Sequence, residues 1–177
     1  EQIFIKNPLN KRLSILNSWI DNEKLWCVLY GLNQLIKVDL QRKIVELTHS
    51  IFLNGKDTCG FESVKVDKYI YCISRTSTCI VEFDVTTNLK RTYNVQCNER
   101  GFNTITVYGT DLYLTGYSKC IYCWNIISQK VIKYNDFPES IFEFHNTNKM
   151  EGLPLFYQSM LVDNKIIFVP WKTDYST

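Results

Sequence analysis

The chain has 177 residues, of which 45% are hydrophobic, 14% aromatic and 21% charged. That is enough apolar material for one packed domain and too much for a chain whose main state is disordered. Twenty basic residues against 18 acidic ones leave a net charge of +2, so charge gives no argument for nucleic acid, and no apolar run approaches the ~18 residues of a membrane helix. Seven glycines and four prolines also exclude collagen-like and linker-like chains.

The first strand-like run is Ile3-Phe4-Ile5, with no initiator Met and no leader pattern before it. The expectation is a piece of a longer protein. Ile5-Lys6-Asn7-Pro8 mirrors Lys37-Val38-Asp39-Leu40 further on. Residues 3–13 therefore predict the second half of a repeating unit. The unit then recurs down the chain. A Ser/Thr-led run comes first: Ser18-Trp19-Ile20, Ser63-Val64-Lys65, Thr104-Ile105-Thr106 and Ser159-Met160-Leu161. An aromatic with a small apolar neighbour follows, at Trp26-Cys27, Tyr71-Cys72, Tyr113-Leu114 and Phe168-Val169. After the first three aromatics, at 13, 13 and 12 residues, come Asp39, Asp84 and Asn125, each flanked by apolar residues.

Each unit predicts four short strands, A to D. Turn-forming residues separate A from B (Asp21-Asn22-Glu23-Lys24, Gly109-Thr110-Asp111, Asp163-Asn164-Lys165) and C from D. β-branched and aromatic residues dominate the runs, and no long stretch holds a capped helical period. The boundaries fall at 3–13 for a half unit, 14–50, 51–95 and 96–134 for full units, 135–154 for an insertion, and 155–177 for a closing half unit.

Four strands recurring at this spacing are the arithmetic of a β-propeller blade. Asp111-Leu112-Tyr113-Leu114-Thr115, running through Trp124-Asn125-Ile126 to Lys130-Val131-Ile132, resembles the Tyr-Val-Thr-Asn type of propeller repeat, akin to quinoprotein and kelch-like blades. Phe83-Asp84-Val85-Thr86-Thr87-Asn88 is similar to the end of that repeat. The Gly-Gly pair of kelch repeats is missing, as is the Gly-His that precedes Trp-Asp in another propeller family. The resemblance implies an all-β propeller of four-stranded antiparallel blades: three full blades and two halves. The halves either join into a fourth blade or belong to a larger ring. Four-bladed rings are uncommon, so the expectation is an excerpt of a larger propeller, completed by the remaining blades of a longer chain.

Propeller sites form at one mouth of the ring, where the B–C and D–A connections lie. The B–C loops carry Tyr30, Arg75, Tyr117 with Lys119, and Trp171 with Lys172. These residues differ between units while the strands repeat, which is where a repeat scaffold places a binding surface. The insertion adds Phe137, Phe142, Phe144, His145 and Met150. Aromatic and cationic loops suit a protein or carbohydrate partner. The expectation is a non-catalytic binding scaffold. The alternative is a hydrolase or lyase working at the ring axis, with Glu99, Arg100, Asp57 and His145 as raw material.

Asp39, Asp84 and Asn125 are expected to bond turn backbone. The seven cysteines, Cys27, Cys59, Cys72, Cys79, Cys97, Cys120 and Cys123, sit mostly in apolar stretches and predict reduced core thiols in a cytoplasmic protein. Cys120 and Cys123 have redox or zinc spacing, but no second pair accompanies them. No phosphate-binding loop or cofactor motif appears, so neither a cofactor, a metal, nor a membrane or nucleic-acid partner is expected.

Overall fold

The computed structural model describes residues 14–29, 33–52, 62–137 and 153–170. Their secondary structure is strand throughout. The first sheet holds β1 (Ile15–Asp21), β2 (Lys24–Leu29), β3 (Gln34–Asp39) and β4 (Ile44–Ser50) in sequence order. The second holds β5 (Ser63–Val66), β6 (Tyr69–Ser74), β7 (Ser77–Asp84) and β8 (Lys90–Asn94). The third holds β9 (Thr104–Tyr108), β10 (Asp111–Thr115), β11 (Ile121–Asn125) and β12 (Val131–Tyr134). β13 (Phe156–Val162) and β14 (Lys165–Pro170) form a two-stranded sheet. All pairings are antiparallel meanders. The half unit at 3–13 and most of the 135–154 insertion lie outside the described residues.

Turn chemistry sets the repeat. The tight A–B hairpins place Asn22, Glu23, Asp67, Gly109, Asp163 and Asn164 at positive φ, the twist that short hairpin loops need. The three C–D turns share one construction. Asp39 Oδ1 accepts from Arg42 N at 2.7 Å, Asp84 Oδ1 from Thr86 N at 2.8 Å, and Asn125 Oδ1 from Ser128 N at 2.8 Å. Four residues after each of them, Lys43, Asn88 and Gln129 take positive φ. Cations on the neighbouring strand or turn complete the first two turns: Lys24 Nζ lies 2.6 Å from Asp39, and Lys68 Nζ 3.0 Å from Asp84. In the third blade Asn125 Nδ2 donates to Asp111 at 2.7 Å instead.

The core lies between sheets, because both faces of the inner strands are covered and their runs are apolar rather than alternating. Trp26, Val28 and Leu35 of the first sheet meet Ile70, Cys72 and Phe83 of the second, with the Trp26 and Phe83 rings 5.5 Å apart. The opposite face of the second sheet, with Tyr71, Ile73 and Ile80, packs on Phe102, Leu112, Leu114 and Trp124 of the third. Tyr71 keeps its hydroxyl satisfied by donating to buried Glu82 at 3.0 Å. Ile121 and Tyr113 then meet Phe156 and Phe168.

One predicted landmark moves. Counting from the hairpins, Lys24, Tyr69, Asp111 and Lys165 are equivalent, since they pair with Asp21, Val66, Tyr108 and Val162. Trp26, Tyr71 and Tyr113 therefore share one register, as expected. The fourth member is Ile167, not Phe168. A one-residue slip moves a side chain to the other face of its sheet. Phe168 accordingly points back onto the third sheet, while Ile167 is 45% exposed.

Candidate functional site

The first strands of the four sheets line one cavity of about 320 Å³. β13 lies against β9, β9 against β5 and β5 against β1. The position four residues before the end of each of these strands faces this space. Asn17, Glu62, Thr104 and Gln158 occupy it, one from each sheet, and all four line the cavity. All of the strand from Asn17 or Gln158 to its hairpin keeps one register, and a bulge follows on the far side of each, between Ile15 and Asn17 and between Phe156 and Gln158. The rest of the lining is mixed, with Ser63, Thr106 and Ser159 beside Val64, Ile105, Val107, Met160 and Leu161.

Hydrogen bonds join neighbouring sheets around this ring. Asn17 Nδ2 donates to Ser63 O at 2.9 Å, to Ser63 Oγ at 3.2 Å and to Glu62 Oε2 at 3.5 Å. Thr106 Oγ1 donates to Ser159 Oγ at 2.5 Å, and Asn103 Nδ2 donates to Phe156 O at 2.5 Å, joining the third and fourth sheets. Burial pushes the Glu62 carboxyl above its ordinary value, against the smaller opposing pulls of the Asn17 hydrogen bond and the Arg75 charge. Among the described residues that line the cavity, Glu62 is the one ionisable group.

The mouth above the ring is built from connections that grip one another. Glu99 accepts from Tyr117 N at 2.9 Å, from Ser118 N at 3.2 Å and from the Ser118 hydroxyl. The Arg100 guanidinium sits 4.7 Å from the Tyr117 ring centroid, a cation–π arrangement. Close backbone approach demands two glycines here. A Cβ on Gly101 would stand 2.3 Å from Arg75 C, and one on Gly116 would stand 2.6 Å from Gly101 O. The segment from Glu99 to Gly101 is thus wedged between the β6–β7 turn and the β10–β11 loop. On the first sheet, Asn33 exchanges two 2.8 Å bonds with the backbone of Phe52.

Of the residues singled out from the sequence, Arg75, Tyr117 and Lys119 lie at this mouth. Arg75 sits in the β6–β7 turn and acts by charge on Glu62. Tyr117 and the exposed Lys119 share the β10–β11 loop. Tyr30, His145, Trp171 and Lys172 lie outside the described residues, as does Asp57. Glu99 serves as a loop anchor rather than a free base. Cys120 and Cys123 have separate neighbours: Cys120 Sγ lies 2.6 Å from Ser118 Oγ and 3.7 Å from Glu99, while Cys123 bonds Tyr113. Among the described residues, no group of three His, Cys, Asp or Glu stands together as a metal site.

The polar ring was missed from the sequence. Its signal was a polar residue four positions before every A–B turn, and the Ser/Thr landmark hid it by aligning Thr104 with Ser63 instead of Glu62.

No family model matches the chain, and no curated protein matches it. Solved structures do. The computationally designed Ika4 protein superposes with a TM-score of 0.64 at 8% identity, over 96% of this chain and 92% of that one. BamB from Moraxella catarrhalis gives 0.57 at 14% identity, over 85% of this chain and 38% of its own. The fold is that of a β-propeller. The RRP9 WD40 repeats give 0.53 at 13% identity, over 70% of this chain and 38% of theirs. The chain spans less than half the length of these two natural propellers. At such identities the likeness carries the fold alone.

Proposed function

We propose that this propeller segment is a non-catalytic binding scaffold that takes a protein partner at the mouth above the polar ring. The carrying observation is the pre-ordered Glu99–Tyr117–Arg100 assembly. One carboxylate fixes two backbone amides of the loop, and a guanidinium stacks on its aromatic ring. Tyrosine and arginine are the side chains enriched at protein interfaces, and a loop ordered before binding loses less entropy on association. A sugar would also use the Tyr117 ring, but Arg100 already covers one face of it. Catalysis is the second reading; the described residues that line the cavity offer it one ionisable group, Glu62.

The finer repeat type we assign is Tyr-Val-Thr-Asn, supported by the Asp111–Thr115 strand and the Asn125-capped turn. A reducing, cytoplasmic setting is supported by Cys27, Cys72, Cys120 and Cys123, which serve as buried core side chains. The test is capture on immobilised protein, with wild type run beside Tyr117→Ala and Arg75→Ala and with retained proteins and glycans both profiled. Loss of a defined protein from both variants is the expected result. Identical retention by all three would refute the mouth as the site, and loss of glycans alone would refute the protein partner.

A further inference from the structure

We propose that the axial cavity binds an alkyl guanidinium or ammonium group, held by Glu62 within the ring completed by Asn17, Thr104 and Gln158. The inference goes beyond the protein partner at the mouth and stands without it.

The donor and acceptor inventory carries it. Asn17 directs its amide hydrogens inside the ring, onto Ser63 and Glu62. Thr104 shares its hydroxyl with Thr115 at 2.7 Å, and Thr106 donates to Ser159. The Asn17 amide and the Thr106 hydroxyl commit donors to internal bonds, while the Gln158 amide and the Ser63 and Ser159 hydroxyls keep donors of their own, so the preference for a cation rests on the carboxylate. The Asn17 and Gln158 carbonyl oxygens and a carboxylate carrying the one formal charge among the described lining residues are the groups that suit an incoming donor. Arg75 acts on the Glu62 carboxyl by charge from the mouth. A desolvated carboxylate among neutral acceptors favours a cationic donor over an anion or a neutral polar group. Val64, Ile105, Val107, Met160 and Leu161 give the same cavity apolar surface against which a short alkyl stem can lie. A volume of about 320 Å³ stands at the small end of ligand sites, about 300–1,000 Å³. The group's source is either a free small amine or a lysine or arginine side chain of a polypeptide.

The experiment titrates the full chain with n-butylguanidinium, n-butylammonium and the neutral shape-mimic n-butylurea, by calorimetry and by amide chemical shifts. Saturable binding of at least one cation is expected, with shifts centred on Val64 and residues 104–107. We expect n-butylurea to bind at least about tenfold more weakly, the ratio equivalent to one charge-assisted hydrogen bond. Glu62→Gln should erase the preference for the cations. Gln158→Glu adds a second carboxylate to the ring and should strengthen cation binding several-fold, which keeps the test open if Glu62→Gln folds poorly. A short peptide with one central arginine separates the sources. Tighter binding than the free probe assigns a polypeptide side chain, and weaker binding assigns a small amine. Absence of saturable cation binding, equal binding of n-butylurea, or unchanged cation affinity in both variants would overturn the proposal.

Discussion

Alanine at Trp26 and at Ile167 should give very different costs, although the two residues occupy the same register of equivalent strands. Trp26 is 1% exposed and packs on Phe83 between the first two sheets. Its removal leaves a large void among side chains that cannot collapse, so a loss of about 3–5 kcal/mol follows. For a chain of this size that corresponds to a melting temperature lower by about 6–20 °C. Ile167 is 45% exposed on the outer face of the two-stranded sheet. Roughly half of the 1.5–3 kcal/mol available from burying such a side chain is then at stake, or about 1 kcal/mol. The corresponding shift is about 2–4 °C. Urea unfolding read from both the midpoint and the slope, with scanning calorimetry alongside, measures each difference. A loss at Ile167 as large as that at Trp26 would refute the reasoning. It would mean that the outer face of the β13–β14 sheet is packed in solution against another surface.

Other outcomes follow from single contacts. Glu99→Ala leaves the Tyr117 and Ser118 amides without their acceptor and should cost about 2 kcal/mol, with partner retention at the mouth lost; chemical denaturation and capture together check this. Gly101→Ala forces a Cβ to within 2.3 Å of the Arg75 backbone, so a loss of more than about 1–3 kcal/mol is expected in the same unfolding assay. His49 is held below its ordinary value of 6.5 by burial and by the Lys90 charge; its folded pKa is depressed, so stability is fully present above 6.5 and falls as pH drops below it, whereas His49→Gln should flatten that limb. Burial pushes the Cys27 thiol up to about 11 and the Cys72 thiol higher still. A maleimide should therefore label the less buried Cys79 first and reach Cys27 and Cys72 only on unfolding, as mass spectrometry after timed labelling would show.

Much of the architecture was legible because it repeats and because its causes are local. Asp39, Asp84 and Asn125 were readable as turn caps from their spacing alone, and the turns confirm that role atom by atom. Trp26, Tyr71 and Tyr113 were readable as the filling between sheets, since an aromatic at constant offset in a strand has few other uses. Phe168 misled because an aromatic stands one residue from where the register places Ile167, and pattern matching rewards identity over parity. The mouth was legible only by position. Arg75, Tyr117 and Lys119 lie where the B–C loops were expected. Glu99 and Arg100, which hold Tyr117, come from a different connection some 20 residues upstream of it. No local signal links an anchor to the loop it holds.

The polar ring shows why a repeat can hide its own site. The first-strand residues that pack between sheets are constrained to be apolar: Leu16 and Trp19, Val64 and Val66, Ile105 and Val107, and Phe156. The position lining the cavity makes polar contacts, as Asn17 does with Ser63 and Thr104 with Thr115, rather than filling an apolar interface, and it varies. It holds an amide, a carboxylate, a hydroxyl and a second amide in the four blades. A search for similarity passes over that column because its members differ in identity. Yet variation confined to one column, at a constant four residues from the turn, is how a scaffold sets the chemistry of a shared cavity without disturbing the interfaces that hold it. Exchanging Gln158 for Glu, or Glu62 for Gln, changes the charge on the axis by one unit. Neither exchange removes a contact from the cores built on Trp26, Tyr71 and Trp124. Ligand preference and stability should therefore vary independently across this column, which a chain of unrelated loop contacts would not allow.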